Sequence, residues 1–82
     1  MISLKLIPHD VGNKDATYWD GICGERYKGR IVTGYHTGLK SGIVAIGNSS
    51  YTLHIANEYR NGIIKVRTYY SDGSYWTEWN QL

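Results

Sequence analysis

The second half of the chain contains three residues whose types could carry out acid–base chemistry on a phosphate ester: His54, Glu58 and Arg67. A histidine, a carboxylate and an arginine can serve as base, acid and phosphate clamp in a small ribonuclease that uses no metal. The strand register predicted below places all three on one face of a sheet. It also places Lys65 opposite Glu58 and Glu78 opposite Arg67, and such cross-strand ion pairs explain these residues without catalysis. We therefore expect a protein that is not an enzyme.

Other chemistry-bearing residues lack the neighbours that their reactions require. Cys23 is the single cysteine, and no Lys or His beside it would lower the pKa of its thiol, so we expect a reduced, structural thiol. His9 and Asp10 form the one adjacent pair of metal-ligand types, which is too few for a metal site. Neither the Walker nor the dinucleotide-binding glycine pattern is present. The sequence predicts no metal and no cofactor.

Length and composition indicate one small domain, residues 1–82. Hydrophobic residues make up 41 % of the chain, which is too many for a disordered segment. With one cysteine no internal disulfide can form, whereas secreted domains of this size usually need such bonds. The apolar start of the chain is too short for a secretory signal, and no run is long enough to span a membrane. We expect a cytoplasmic protein without membrane contact.

Strand patterns dominate the elements that must position these residues. Runs rich in β-forming residues, separated by turn signals, predict strands at 2–7, 27–36, 43–47, 51–58, 63–70 and 75–80. A short helix, capped by Asn13 or Asp15, is predicted within residues 10–24. The fold class is therefore β-dominated, with at most that one helix. We expect an antiparallel meander that is curled into a small barrel or sandwich.

Three turn signals fix the predicted register of the meander. They are Asn48-Ser49, Asn61-Gly62 and Asp72-Gly73, each taken as a two-residue hairpin loop. All three registers place the same residues on one mostly apolar face, which supports them jointly because a slip of one residue would invert every side chain. The predicted opposite pairs are Ile46 with Tyr51, Val44 with Leu53, Asn57 with Val66, Ile55 with Thr68, Tyr70 with Tyr75, and Val66 with Trp79.

The two faces of this sheet are predicted to have different roles. The apolar face is expected to be the core, and it carries Val44, Leu53, Ile55, Val66, Tyr70 and Trp79. Aromatic residues on the other face need a reason, since exposed neighbouring aromatics are typical of contact sites. That face is the predicted partner-binding surface, formed by His54, Lys65, Arg67, Tyr69, Trp76 and Glu78. The alternative is that residues 10–24, which include Tyr18 and Trp19, cover this face and bury it.

A basic stretch forms a secondary candidate site. On a strand, Arg26, Lys28 and Arg30 would project to one face beside Tyr27 and could contact phosphates. The alternative is a charged strand edge that prevents aggregation, which the low net charge of +2 favours.

The leading function is that of a protein-binding module. Eight Tyr and three Trp residues are suited to an interface, and a small inhibitor or adaptor of the kind made by phages or mobile elements has this size and charge. The alternative is a nucleic-acid-binding β-barrel that uses stacked aromatics and the basic stretch. A third candidate is a small-ligand or sugar binder. A homo-oligomer is compatible with all three.

Overall fold

Hairpin connections between successive strands build most of the sheet. The computed structural model describes residues 8–82, in which seven strands form one sheet in the order β1-β2-β3-β4-β5-β6, with β7 also paired to β5. The strands are β1 (His9–Lys14), β2 (Ile31–His36), β3 (Ser41–Gly47), β4 (Tyr51–Glu58), β5 (Ile64–Tyr70), β6 (Tyr75–Trp76) and β7 (Asn80–Gln81). A helix, α1 (Ala16–Asp20), and a 3-10 helix (Glu25–Tyr27) lie between β1 and β2.

The predicted class, a β-dominated chain with one short helix, is confirmed. Strands β2 to β6 form an antiparallel meander. The helix begins after Asp15, whose carboxylate accepts a hydrogen bond from the Tyr18 amide at 3.0 Å, so Asp15 is the cap. Strand β1 runs parallel to β2, which makes the sheet mixed. The sheet is not closed, and the predicted barrel is not confirmed; the predicted strand at 2–7 lies outside the described residues.

Two hairpin registers differ from the prediction by two residues. Asn57 lies opposite Ile64 rather than Val66, and Ile46 lies opposite Leu53 rather than Tyr51. The first turn is longer than two residues because the Asn48 side chain accepts hydrogen bonds from two later amides, at 2.8 and 3.0 Å. A shift of two residues keeps every side chain on its predicted face, since the period of a strand is two.

The register next to the last turn is partly wrong. Tyr70 lies opposite Tyr75 as predicted, but Val66 lies opposite Asn80 and not Trp79. Between β6 and β7, Thr77 bonds to Thr68 with both its amide and its hydroxyl, at 2.8 and 2.9 Å. One extra residue is thereby accommodated, as in a β-bulge.

The predicted core face is wrong, because the helical connection packs on the opposite side of the sheet. Trp19 of α1 is fully buried and clusters with Ile22, Val32, Ile43 and Ala45. In contrast, five of the six predicted core residues lie on the other side of the sheet and are half-buried or exposed: Val44, Leu53, Ile55, Val66 and Tyr70. The sixth, Trp79, is half-buried and does pack against the Trp19 cluster, because the one-residue shift after β6 turns it to the α1 side.

Small residues explain why α1 settles on that side. A Cβ atom at Gly34 would lie 2.8 Å from the Trp19 ring, so only glycine leaves room for the indole at this point of β2. Ala45, on the neighbouring strand, belongs to the same cluster and is equally small. A tryptophan that fills such a depression removes a large apolar area from water, which outweighs the polar character of the rest of the face.

Strand β2 begins later than predicted. Arg26 lies in the 3-10 helix, and Gly29 adopts a positive φ of 70°, so the chain turns where a strand was expected. Arg26, Lys28 and Arg30 therefore do not form a stripe on one strand face. Gly47 of β3 holds this turn through two hydrogen bonds. Its carbonyl accepts from the Gly29 amide at 2.8 Å, and its amide donates to the Arg30 carbonyl at 3.1 Å.

Candidate functional site

The side of the sheet that α1 covers, here called the α1 face, holds a buried polar cluster around His54. The Nε2 of His54 lies 2.8 Å from the Ile22 carbonyl oxygen, and its Nδ1 accepts a hydrogen bond of 3.3 Å from Arg67 Nε. Because Nδ1 accepts, Nε2 must carry the proton and donate it to the carbonyl. Burial lowers the pKa of His54 to about 4. This histidine is therefore neutral at pH 7, and both ring nitrogens are engaged.

Arg67 connects the sheet to α1. Its Nη1 lies 2.9 Å from an Asp20 carboxylate oxygen at the end of the helix, and its guanidinium carbon lies 3.9 and 4.6 Å from the ring centroids of Trp76 and Trp79. Stacking on two indoles and an ion pair compensate for taking the charge out of water. The predicted ion pair with Glu78 is wrong, because the Arg67 guanidinium bonds to Asp20 and His54 instead.

The six residues of the predicted partner-binding surface do not share one environment. His54 and Arg67 are buried; Lys65, Tyr69 and Trp76 are half-buried; Glu78 is exposed. The Trp76 ring lies 4.5 Å from His54 and 5.1 Å from Tyr69, and its Nε1 donates to the Asp20 carbonyl at 3.2 Å. The structure thus brings four of the six together in a layer that α1 covers. Their role in binding stays a prediction.

The other side of β2 to β6, here called the open face, is formed by cross-strand rows of uncharged side chains. One row runs Ile31–Ile46–Leu53–Thr68, and the next runs Thr33–Val44–Ile55–Val66. Flanking rows are Tyr35–Gly42–Asn57–Ile64 and Tyr51–Tyr70–Tyr75. The helical segments contact the sheet on the α1 face. There Trp19 of α1 contacts His54, and Tyr27 of the 3-10 helix lies close to Gly47.

Charge is divided completely between the two faces. Every charged or imidazole side chain of β2 to β6 lies on the α1 face, according to strand alternation: His36, His54, Glu58, Lys65 and Arg67. Asp10 of β1 marks the rim of the open face, where it accepts a hydrogen bond of 3.2 Å from the Thr33 hydroxyl. The open face can therefore contribute apolar contact and tyrosine hydroxyls, but no ionic contact within these five strands.

The sequence prediction missed the open face as a surface because it assigned these residues to the core. One signal could have found it. The chain has eight tyrosines and no phenylalanine. A tyrosine hydroxyl needs a partner or water, so a face that carries several tyrosines is suited to half-wet surroundings. Tyr51, Tyr70 and Tyr75 are in fact exposed, and the rings of the last two lie 5.3 Å apart.

A shallow depression of about 370 Å³ lies beside the 3-10 helix and is lined by Arg26, Tyr27 and Arg30. The Arg26 guanidinium stacks over the Tyr27 ring at 5.0 Å and donates a hydrogen bond of 3.3 Å to its hydroxyl. Lys28, the third residue of the predicted basic patch, is exposed but does not line the depression. Two of the three predicted residues are thus brought together, in a turn and not on a strand.

Cys23 is half-buried, and its Sγ lies 3.5 Å from the Asp20 carbonyl oxygen. Burial raises the pKa of this thiol, although Arg26 and Arg67 act in the opposite direction. A thiol with a raised pKa is mostly protonated at pH 7 and is a poor nucleophile, which favours the predicted structural role.

Metal-ligand types do not converge in groups of three or more within residues 8–82. In the same range, the helices are too short to cross a membrane. Comparison of the chain with protein-family models, with curated proteins and with solved structures finds no match.

Proposed function

We propose that the chain is a small non-catalytic protein-binding module, an inhibitor or adaptor, that contacts its partner through the open face of the sheet. The observation that carries the proposal is the division between the faces. The face with the charged groups is covered by α1 and holds the fully buried residues of β2 to β6, while the side chains of the uncharged face are half-buried or exposed. This keeps the predicted function and moves the contact surface to the opposite side of the sheet.

The composition of the open face supports a protein partner. Monomeric proteins rarely expose contiguous apolar patches larger than a few hundred Å² without a binding role. Tyrosine is enriched among the residues that contribute most to protein–protein affinity, because it buries a large area at a small entropic cost. The Tyr51–Tyr70–Tyr75 row presents such residues at one end of the face, on strands that hold them in register.

The state of His54 supports a role without catalysis. A general base needs a free nitrogen within reach of its substrate, and both nitrogens of this histidine are bonded within the fold. Glu58, the second member of the catalytic set, lies opposite Ser41 at the far end of β4. The proposal further assigns the module to the cytoplasm, where a lone thiol such as Cys23 stays reduced.

Site-specific photo-cross-linking in the native cell tests this function. Tyr70 is replaced by benzoyl-phenylalanine in one variant, and Thr17, an exposed residue of α1 on the covered side, is replaced in the control. We expect position 70 to give a protein adduct and position 17 to give none. Equal adducts at both positions, or none at position 70, would contradict a contact through the open face.

A second candidate function, nucleic-acid binding, is favoured by one observation. Arg26 and Arg30 line a depression together with Tyr27, which combines positive charge with an aromatic ring as single-strand binding sites do. If this is its use, a single-stranded oligonucleotide should bind in a gel-shift assay, and its affinity should fall steeply as the salt concentration rises. Arg30→Gln should weaken that binding, whereas Arg60→Gln, at an exposed position in the β4–β5 turn, should not. Affinity unchanged in Arg30→Gln would exclude the depression.

A further inference from the structure

We propose that the partner on the open face is a second copy of this chain, so that two sheets pack face to face and form a symmetric sandwich. This inference rests on the proposed contact through the open face and names the partner there as this same chain, in place of a separate target protein. It also supplies the second layer of the sandwich that the sequence predicted, since one sheet alone leaves this side of the molecule uncovered by the residues that the structure describes.

The charge distribution is the first argument for a second copy. In a twofold contact the same patch occurs on both partners, so any charge near the axis meets its own like charge. Like charges that face each other across an interface are costly, and a patch with net charge selects an oppositely charged partner instead. The open face has no Asp, Glu, Lys or Arg on β2 to β6. It is therefore complementary to itself and offers no ionic feature that would select a different protein.

The exposed area is the second argument. Tyr51, Tyr70 and Tyr75 are 44, 41 and 54 % exposed. Because a tyrosine side chain carries about 150–250 Å², these three expose on the order of 300 Å². A specific interface should bury at least about 1,000 Å² in total, or about 500 Å² on each copy. The tyrosine row alone supplies more than half of that, and Ile46 and Ile64 add two further exposed side chains.

The shape of the layer is the third argument. Two antiparallel sheets pack about 10 Å apart when their inner faces carry alternating apolar side chains, as the two central rows of the open face do. Among the described residues, the fully buried apolar core on the α1 face is small and consists of Trp19, Ile22, Val32, Ile43, Ala45 and Ala56. Small domains bury a limited fraction of their surface, and an oligomer is one of the ways in which they bury more.

Sedimentation equilibrium of the purified full chain tests the proposal. We expect the wild-type protein to have about twice the chain mass of 9.3 kDa at high concentration and to dissociate on dilution. Ile46→Arg places a charge in the middle of the face and should weaken the self-association constant on the order of 100-fold or more. Thr17→Arg adds the same charge on α1 and should leave the constant unchanged. Circular dichroism verifies that each variant is folded.

If Ile46→Arg does not fold, Tyr75→Arg at the more exposed end of the face takes its place. The proposal is overturned if the wild-type chain is a monomer at every concentration. That result would mean that a second copy does not occupy the face, and it would leave another protein or residues 1–7 of the same chain as the alternative. The proposal is equally overturned if a folded Ile46→Arg variant remains a dimer. A monomer that still gives a heterologous adduct at position 70 would refute the second copy and leave the proposed function intact; a monomer without any adduct would refute both.

Discussion

In most sheets the apolar face is the covered one, whereas here a helix covers the face that carries the charged residues. The α1 face carries all the charged side chains of β2 to β6 and all of their fully buried residues, whereas the open face carries no charge and its side chains are half-buried or exposed. Burial on the α1 face is stabilised by specific pairs, such as Arg67 with Asp20 and His54 with the Ile22 carbonyl. The position of the covering segment therefore decides which face is the core, and polarity alone does not.

Removal of the cover should have the largest effect among the core variants. Trp19 is fully buried, so Trp19→Ala leaves a cavity and should lower the free energy of unfolding by about 3–5 kcal/mol. The neighbouring Tyr18 is 36 % exposed, and Tyr18→Ala should cost about 1 kcal/mol. Urea unfolding of both variants measures the difference. Equal losses would mean that α1 does not form the core described here.

Acid should weaken the α1 face specifically. His54 has a pKa of about 4 in the folded state, against an ordinary value of 6.5. Between these values the unfolded chain binds a proton that the folded chain does not, so lowering the pH from 7 to 4 favours unfolding. The shift corresponds to about 3 kcal/mol of stability that is present in full above pH 6.5 and is lost as the pH falls to 4. Burial also lowers the pKa of His36, which acts in the same direction.

The pH dependence of unfolding in His54→Gln is the matched control. Glutamine can still donate to Ile22 and accept from Arg67, but it does not titrate. The variant should lose most of the decline in stability between pH 6.5 and pH 4. An unchanged decline would assign the proton uptake to other groups and would contradict a buried, neutral His54.

A smaller effect is expected from the ion pair between helix and sheet. Asp20→Asn keeps the shape of the side chain but leaves the buried Arg67 without its counter-charge. Because the Asp20 side chain is 56 % exposed, water compensates in part, and we expect a loss of about 1–2 kcal/mol. Glu78→Gln removes the partner that the sequence predicted for Arg67 and should cost less than about 0.5 kcal/mol. Thermal unfolding of the two variants compares them, and the reverse order would favour the predicted pair.

The sequence predicted which residues of β2 to β6 share a face, but it misplaced Trp79 and did not predict which face is covered. Alternation and the turn residues placed Leu53, Ile55 and Val66 together, and a two-residue error in register did not change that. The bulge at Thr77 depends on a side-chain hydrogen bond to Thr68 that no turn signal reveals.

Contacts between distant parts of the chain account for the rest of the difference. The Asp20–Arg67 pair joins residues 47 positions apart, and Trp19 rests on Gly34 across the β1–β2 connection. Local propensity contains no information about such contacts. The sequence could therefore offer burial by residues 10–24 as an alternative to an exposed binding face, but it could not choose between the two.

Two adjacent positions on β3 distinguish the buried face of the sheet from the open one. Ala45 lies on the α1 face and is buried, whereas Ile46 lies on the open face and is 40 % exposed. We compare the circular dichroism spectra of Ala45→Arg and Ile46→Arg at the same protein concentration. We expect Ala45→Arg to unfold the chain, because an unpaired charge is forced into the core, and Ile46→Arg to keep the strand spectrum of the wild type. A folded Ala45→Arg variant beside an unfolded Ile46→Arg variant would contradict this expectation.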